Sequence, residues 1–245
     1  MVEILDRHRV IALQCSGGRD SMASLYLMEQ WWDRIIVVWC NTGAQYPEMI
    51  DFMARLRRMV PHFVEVTTDQ PTSLAVFGHP SDVVPISNTR FGQTLSGETG
   101  IVIRDTWSCC AENIWFPMQQ ATMDLGATLV IRGQRADDRY QPPITSGSVI
   151  DGIEYLFPVE QWSRQDCDDY LFDRHVELPG AGLDHSSLDC WSCTGYADKS
   201  QDRARWMRER HPDLFGQYIK LVGAIADRVE AQYEPLRRLA AAVKE

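Results

Sequence analysis

Arg9-Val10-Ile11-Ala12-Leu13-Gln14-Cys15-Ser16-Gly17-Gly18-Arg19-Asp20-Ser21 is where the architecture of this chain declares itself. Residues 9–15 form a short apolar run, the mark of a buried strand, and Ser16-Gly17-Gly18 closes it. Residues 21–32 then place Met22, Leu25, Leu27, Met28, Trp31 and Trp32 on roughly one helical face. A strand that turns through two glycines into a helix makes an anion nest. The glycines let the backbone approach a phosphate, and the helix start offers free N–H groups and the positive end of its dipole. Ser16 and Ser21 add hydroxyl donors, and Asp20 can cap the helix or hold a magnesium ion. Taken alone, Ser-Gly-Gly after a strand is equally an ordinary turn.

Outward from this segment the same rhythm continues. Residues 35–40 read as a second apolar strand, residues 47–59 as a helix with Pro47 in its first turn, and residues 62–67 as a third strand. Residues 68–108 break the rhythm. They are rich in Gly, Pro, Ser and Thr and are expected to be a long loop, of the kind that is functional or mobile. A helix kinked at Pro117 is expected over 109–125 and a fourth strand over 128–133. A loop over 134–149, a fifth strand over 153–158 and a helix over 163–174, capped by Ser163, follow. Residues 176–198 look irregular, and residues 200–243 read as two helices broken near Pro212. The expected fold is α/β, a Rossmann-like parallel sheet with helices on both faces and C-terminal helices. Residues 1–198 are expected to form the nucleotide-binding domain with its cysteines, and 199–245 a helical extension.

The chain has 245 residues, 44% of them hydrophobic, enough for one well-buried core. No apolar run reaches the roughly 18–20 residues of a membrane span, and residues 1–10 do not resemble a secretory signal, so a cytoplasmic protein is expected. The net charge of −10 gives no general attraction to a polyanion. A nucleic-acid substrate would need a local basic patch or a helper protein. Arg203, Arg205, Arg208 and Arg210 are one candidate patch, although a solvated helix face is the plainer explanation. Lys199, Lys220 and Lys244 are the only lysines, which leaves phosphate contacts to arginine.

Cys15-Ser16-Gly17-Gly18-Arg19-Asp20-Ser21 resembles the PP-loop of the adenine-nucleotide α-hydrolase superfamily. Asn41-Thr42-Gly43-Ala44-Gln45-Tyr46-Pro47-Glu48 resembles the D-T-G-x-x-x-P-E signature of its PAPS reductase and ATP sulfurylase branch, with Asn41 in place of Asp. Arg132-Gly133-Gln134-Arg135-Ala136-Asp137-Asp138-Arg139 resembles that branch's G-x-R…R segment, and Trp162, Asp166 and Tyr170 match its P-x-x-x-W-x-x-x-D-x-x-x-Y segment. The resemblance spans about residues 9–196. It implies a PP-loop ATP pyrophosphatase type of fold, with ligands at the carboxyl ends of the strands. It also implies an adenine-nucleotide site built from Ser16, Gly17, Gly18, Arg19, Asp20, Ser21, Asn41, Thr42, Gly43 and Gly133. Arg135 and Arg139 would grip phosphoryl groups, with Asp20 as a third catalytic residue.

Seven cysteines in a chain read as cytosolic argue against a disulfide framework. Cys109-Cys110 and Cys190-x-x-Cys193 are the clustered ones. Two such pairs suit a zinc or a 4Fe–4S site, and adjacent cysteines suit two irons of a cuboidal cluster better than one tetrahedral zinc. The layout is similar to the cluster signature of assimilatory APS reductases, including Thr194. Trp107, Trp115 and Trp191 either shield such a cluster or are core aromatics. Cys15, Cys40 and Cys167 read as small buried residues, with Cys15 or Cys40 as an alternative persulfide carrier.

Three features depart from the reductase pattern. No cysteine follows Cys193, where those enzymes carry a mobile nucleophile. The basic pair after the cysteine pair is missing, with Asn113-Ile114 preceding Pro117-Met118. The full S-G-G-x-D-S loop, which reductases have little use for, is kept. The expected activity is therefore ATP-dependent adenylation, giving AMP and pyrophosphate, coupled to sulfur transfer of the tRNA-thiolating or DNA-phosphorothioating kind. ATP, Mg²⁺ and a 4Fe–4S cluster are the expected cofactors. A cysteine desulfurase or other sulfur-relay protein is the expected partner, and a homo-oligomer the expected assembly. The alternatives are an APS or PAPS reductase, a sulfate adenylyltransferase-like subunit, and a non-catalytic nucleotide-sensing subunit.

Overall fold

The computed structural model describes residues 2–138, 144–180, 183 and 188–242. In chain order the elements are α1 (Val2–Asp6), β1 (Ile11–Gln14), α2 (Arg19–Leu27), β2 (Ile35–Asn41), α3 (Pro47–Met59) and β3 (Phe63–Thr67). Then come α4 (Gln70–Phe77), β4 (His79–Ser81), α5 (Arg90–Ser96), β5 (Ile103–Asp105), α6 (Thr106–Cys110) and α7 (Phe116–Asp124). The chain continues through β6 (Leu129–Arg132), β7 (Val149–Ile150), β8 (Ile153–Leu156), α8 (Arg164–Asp173), α9 (Gln201–Arg210) and α10 (Pro212–Ala242). The chain divides into two compact units that interleave in sequence. The first comprises Met1–Thr68 and Ile114–Gly182, the second Asp69–Asn113 and Leu183–Glu245.

The first unit is the α/β fold expected from the sequence. Its sheet has the order β3-β2-β1-β6-β8-β7. All neighbours are parallel except the short edge strand β7, which runs antiparallel to β8. Parallel crossovers through α2 and α3 carry β1 to β2 and β2 to β3, and the right-handed rule for such units puts both helices on one face. The helix α7, which leads into β6, covers the other. There Met118 packs with Ala12, Val38, Cys40 and Ala127 as a buried cluster. In α3, Met49, Phe52, Met53 and Leu56 are the buried residues, one stripe at helical spacing, and Pro47 occupies the first turn where no N–H is needed. The helix α8 packs on α2 and is held at its start by a capping box between Ser163 and Asp166.

β1 lies in the middle of the sheet, and the chain leaves it towards β2 but leaves β6 towards β8. That reversal between β1 and β6 is the topological switch point, where open α/β sheets bind ligands at their carboxyl ends.

The second unit corrects the expectation of a long loop over 68–108. That segment holds α4, α5 and a two-stranded parallel sheet of β4 and β5. Asp69 caps α4 and Thr89 caps α5, each through a side chain that accepts an N–H. Expected break points also shift in the helix over 109–125. Pro117 has no N–H to donate, and the turn before it widens into a π segment, Ala111–Trp115. Pro235 lies inside the 31-residue α10. No helix of the described residues is long and apolar enough to cross a membrane.

Candidate functional site

The glycine loop joins β1 to α2 at the switch point. Gly17 adopts φ +78°, a conformation that disfavours side chains. A Cβ on Gly17 would meet Met53 Cε at 2.7 Å and Met49 Sδ at 2.8 Å, so this glycine lies directly against α3. At Gly18 a Cβ would meet only Ser16 Oγ, at 3.4 Å. The loop holds its own shape. Gly18 N donates to Ser16 Oγ (3.3 Å), Ser21 Oγ donates to the Gly18 carbonyl (2.9 Å), and the two serine hydroxyls lie 3.3 Å apart. No side chain caps α2, whose N-cap is Gly18. Its first N–H groups and positive dipole end therefore face the loop.

The loop after β6 closes on this turn. A Cβ on Gly133 would lie 2.3 Å from the Asp20 carbonyl carbon and the Ser21 nitrogen, so only glycine permits this approach. Arg135 then reaches Asp20, with Nε 3.3 Å from Oδ2. The same guanidinium pairs with Asp137 and Asp138, each at 3.0 Å. Three carboxylates thus surround the arginine expected to grip phosphate. Arg135 acts on a ligand only by exchanging one of these partners for it. Burial raises the Asp20 carboxyl above its ordinary range and Asp138 adds to this, while Arg135 opposes both. Asp20 Oδ1 is buried, and the Cys167 thiol lies beside the carboxylate as a donor. Arg19 does not face the loop. It forms an ion pair with Asp168 of α8. Arg139 lies outside the described residues.

The end of β2 is ordered by local turns. Asn41 accepts from Gly43 N through Oδ1 (3.1 Å) and donates to Glu65 through Nδ2 (2.9 Å). Gly43 has φ +76°. Thr42 is buried and accepts from Ala44 N (3.4 Å) and Gln45 Nε2 (3.5 Å). Asn41 Oδ1 thus forms the turn as an aspartate oxygen would, while its Nδ2 donates to Glu65, which an aspartate could not do. Cys15, Cys40 and Cys167 are buried, as the sequence suggested, and burial pushes Cys40 up to about 11 and Cys167 to about 12. None of them is poised as a thiolate.

The four clustered cysteines all belong to the second unit. Cys109 and Cys110 end α6, whose start is capped by Asp105. Cys190 and Cys193 bracket a turn in which Cys193 N donates to the Cys190 carbonyl (3.1 Å). That segment is tied down along its length. Ser192 Oγ donates to Gln70 Oε1 (2.8 Å), and Thr194 Oγ1 to the Pro80 carbonyl (2.6 Å). Asp82 accepts from Tyr196 N and Ala197 N, both at 2.8 Å. These contacts hold Tyr196 at φ 55°, a strained position, with its hydroxyl 3.7 Å from Cys110 Sγ. Cys109, Cys110 and Cys193 sense one another electrostatically. Burial raises all three thiols, Cys110 to about 12, while Arg104 beside Cys109 and Arg203 beside Cys193 favour the thiolates. Among the described residues no group of three or more His, Cys, Asp or Glu stands close enough to hold a metal ion. The donor set suits a thiolate-held cluster in kind, and metal binding would have to draw these side chains together.

Two expectations about neighbours change. Trp107 and Trp115 are exposed rather than core residues. Arg203 is buried, donating through Nη2 to the Cys193 carbonyl (2.8 Å) and Ser200 Oγ (3.1 Å), so it belongs to no solvated basic patch. Reading the sequence did not find Asp137 and Asp138 as partners of Arg135, nor Asp168, Asp82, Arg104 and Tyr196. Among these only Asp137 and Asp138 carried a signal, lying beside a named arginine.

The phosphoadenosine phosphosulfate reductase domain model matches residues 10–196. Among solved structures, the phosphate complex of phosphoadenylyl-sulfate (PAPS) reductase from Candida auris matches with a TM-score of 0.49 and 15% identity. That match covers 74% of this chain and 81% of the other. No curated protein matches.

Proposed function

The chain belongs to the phosphoadenosine phosphosulfate reductase domain family, and from that premise we propose that it splits ATP into AMP and pyrophosphate to activate an acceptor oxygen for sulfur transfer. One observation carries this reading: the glycine loop at the switch point opens onto an α2 start that no side chain caps. A run of free N–H groups beside two serine hydroxyls suits the pyrophosphate half of ATP. A reductase whose nucleotide carries no pyrophosphate has no use for the full loop.

In this scheme an acceptor oxygen attacks the α-phosphorus of ATP. The bond to the β-phosphate oxygen breaks, and pyrophosphate leaves into the loop. A sulfur nucleophile later displaces AMP from the acceptor. Ser16 to Ser21 hold the leaving pyrophosphate, Thr42 and Gly43 lie on the nucleoside side, and Arg135 exchanges a carboxylate for a phosphoryl oxygen as charge develops. The Asp20 carboxylate would hold Mg²⁺, whose charge would neutralise that of the triphosphate. Cys109, Cys110, Cys190 and Cys193 would hold a 4Fe–4S cluster whose chemistry is to carry or relay sulfur. The acceptor is a nucleic acid delivered by a helper protein, or a small molecule, with a cysteine desulfurase as sulfur source.

The test is a nucleotide panel on anaerobically purified protein. Pyrophosphate release from ATP, accelerated by the acceptor or by a desulfurase, is the expected result, with no sulfite released from APS or PAPS in the presence of thioredoxin. Thioredoxin-dependent sulfite release without ATP cleavage would restore the reductase that the family name suggests.

A further inference from the structure

Arg132 ends β6, and its register partner on β1 is Gln14, the last residue of that strand. Neighbouring strand partners point to the same side of a sheet. Gln14 donates through Nε2 to Thr122 of α7 (3.3 Å), so Arg132 lies on the α7 side of the sheet, at the carboxyl end beside the switch point. The residue is half-buried. Among the described residues no carboxylate pairs with it and no acceptor takes a hydrogen bond from its guanidinium. The one titratable group it senses is Tyr155, and burial lowers it below the usual arginine range. Arg19, Arg135 and Arg174 in the same unit all have carboxylate partners. A half-buried guanidinium at the carboxyl end of the sheet, without a counter-charge among the described residues, keeps its donors open to an anion.

We propose that Arg132 binds one tetrahedral oxyanion, phosphate or sulfate, of a ligand lying over the carboxyl ends of β1 and β6, separate from the pyrophosphate at the glycine loop. This rests on the reading that the loop holds pyrophosphate. The loop occupies the α2 side of the switch point and Arg132 the α7 side, so two anions of one reaction have separate seats. The guanidinium fork suits a tetrahedral oxyanion through two parallel hydrogen bonds.

Native protein, Arg132→Met and Arg132→Lys are compared by calorimetric titration with AMP, inorganic sulfate and pyrophosphate, and by thermal melting without anions. The Met variant is expected to lose at least about tenfold in affinity for AMP, sulfate or both, the size of a lost charged hydrogen bond. Pyrophosphate affinity stays at the native value, which also verifies the fold, and the Lys variant falls between. Loss confined to AMP identifies an α-phosphate as the anion, and loss confined to sulfate identifies a sulfate group. Without anions the Met variant melts at or above native, because a half-buried charge without a carboxylate partner has gone. Native-like binding of both AMP and sulfate by the Met variant overturns the proposal. So does a parallel loss of pyrophosphate, which would make Arg132 part of the loop site. If native protein fails to cleave ATP while the Met variant still loses AMP or sulfate, the proposed function fails and the Arg132 site stands.

Discussion

Asp20 brings a carboxylate into a partly buried position at the first turn of α2, where burial outweighs its pairing with Arg135. Its folded pKa is raised, so the unfolded chain releases this proton first as pH rises. The contribution of Asp20 to stability therefore falls as pH climbs from the ordinary carboxylate range to the raised value, and its cost is complete only above that raised value. Asp20→Asn is expected to melt no lower than native at neutral pH, because Arg135 keeps Asp137 and Asp138. Pyrophosphate release from ATP should drop by about a hundredfold, the scale of a lost electrostatic contact. Melting curves at several pH values and a pyrophosphate assay check both halves. The two loop glycines separate in the same way. Gly17→Ala strains a positive φ and crowds Met49 and Met53, and it should lower stability by more than about 1 kcal/mol. Gly18→Val has room within the fold and should block pyrophosphate while melting like native. Urea unfolding and calorimetry distinguish the two variants. The glycines themselves were legible in the sequence. Which one faces α3 and which faces the ligand was not, because that depends on methionines some thirty residues further on.

At the scale of elements, α8 buttresses α2, and its capping box satisfies two N–H groups that a helix start leaves open. Ser163→Ala should cost about 1 kcal/mol in urea unfolding. An unchanged unfolding midpoint would mean the cap is idle. The strands of the first unit were legible because each is a short continuous apolar run, and α3 because Pro47 and its buried stripe agree. The segment after Thr68 was not. Its helices are seven and eight residues long and its strands three, too short for a period to emerge. Their order comes from side-chain caps and from partners such as Gln70 to Ser192, which lie far apart in sequence. The three carboxylates around Arg135 were half legible. Asp137 and Asp138 sit next to it, whereas Asp20 meets it only because β1 and β6 are neighbours.

For the whole molecule, the cysteine chemistry makes a prediction that needs no assay of turnover. Protein purified anaerobically should be brown and carry about four irons per chain, and Cys190→Ser should be colourless. Stoichiometric zinc without visible absorbance would replace the cluster by a zinc site. The interleaving of the two units also bears on how the chain comes into being. A ribosome delivers β1, β2 and β3 early, but the strand that closes the other side of β1 begins only at Leu129. Until then the nascent chain carries a central strand with one naked, apolar edge. The piece from Asp69 to Asn113 waits longer still for the residues after Leu183. Non-local pairing of this kind is slow to form and exposed to aggregation while it waits. Nascent chains halted before residue 129 should therefore be cut readily by protease and held by chaperones. Chains halted after α8 has emerged should protect the first unit. The position of one strand in the sheet thus sets a timetable for synthesis as well as a seat for the nucleotide.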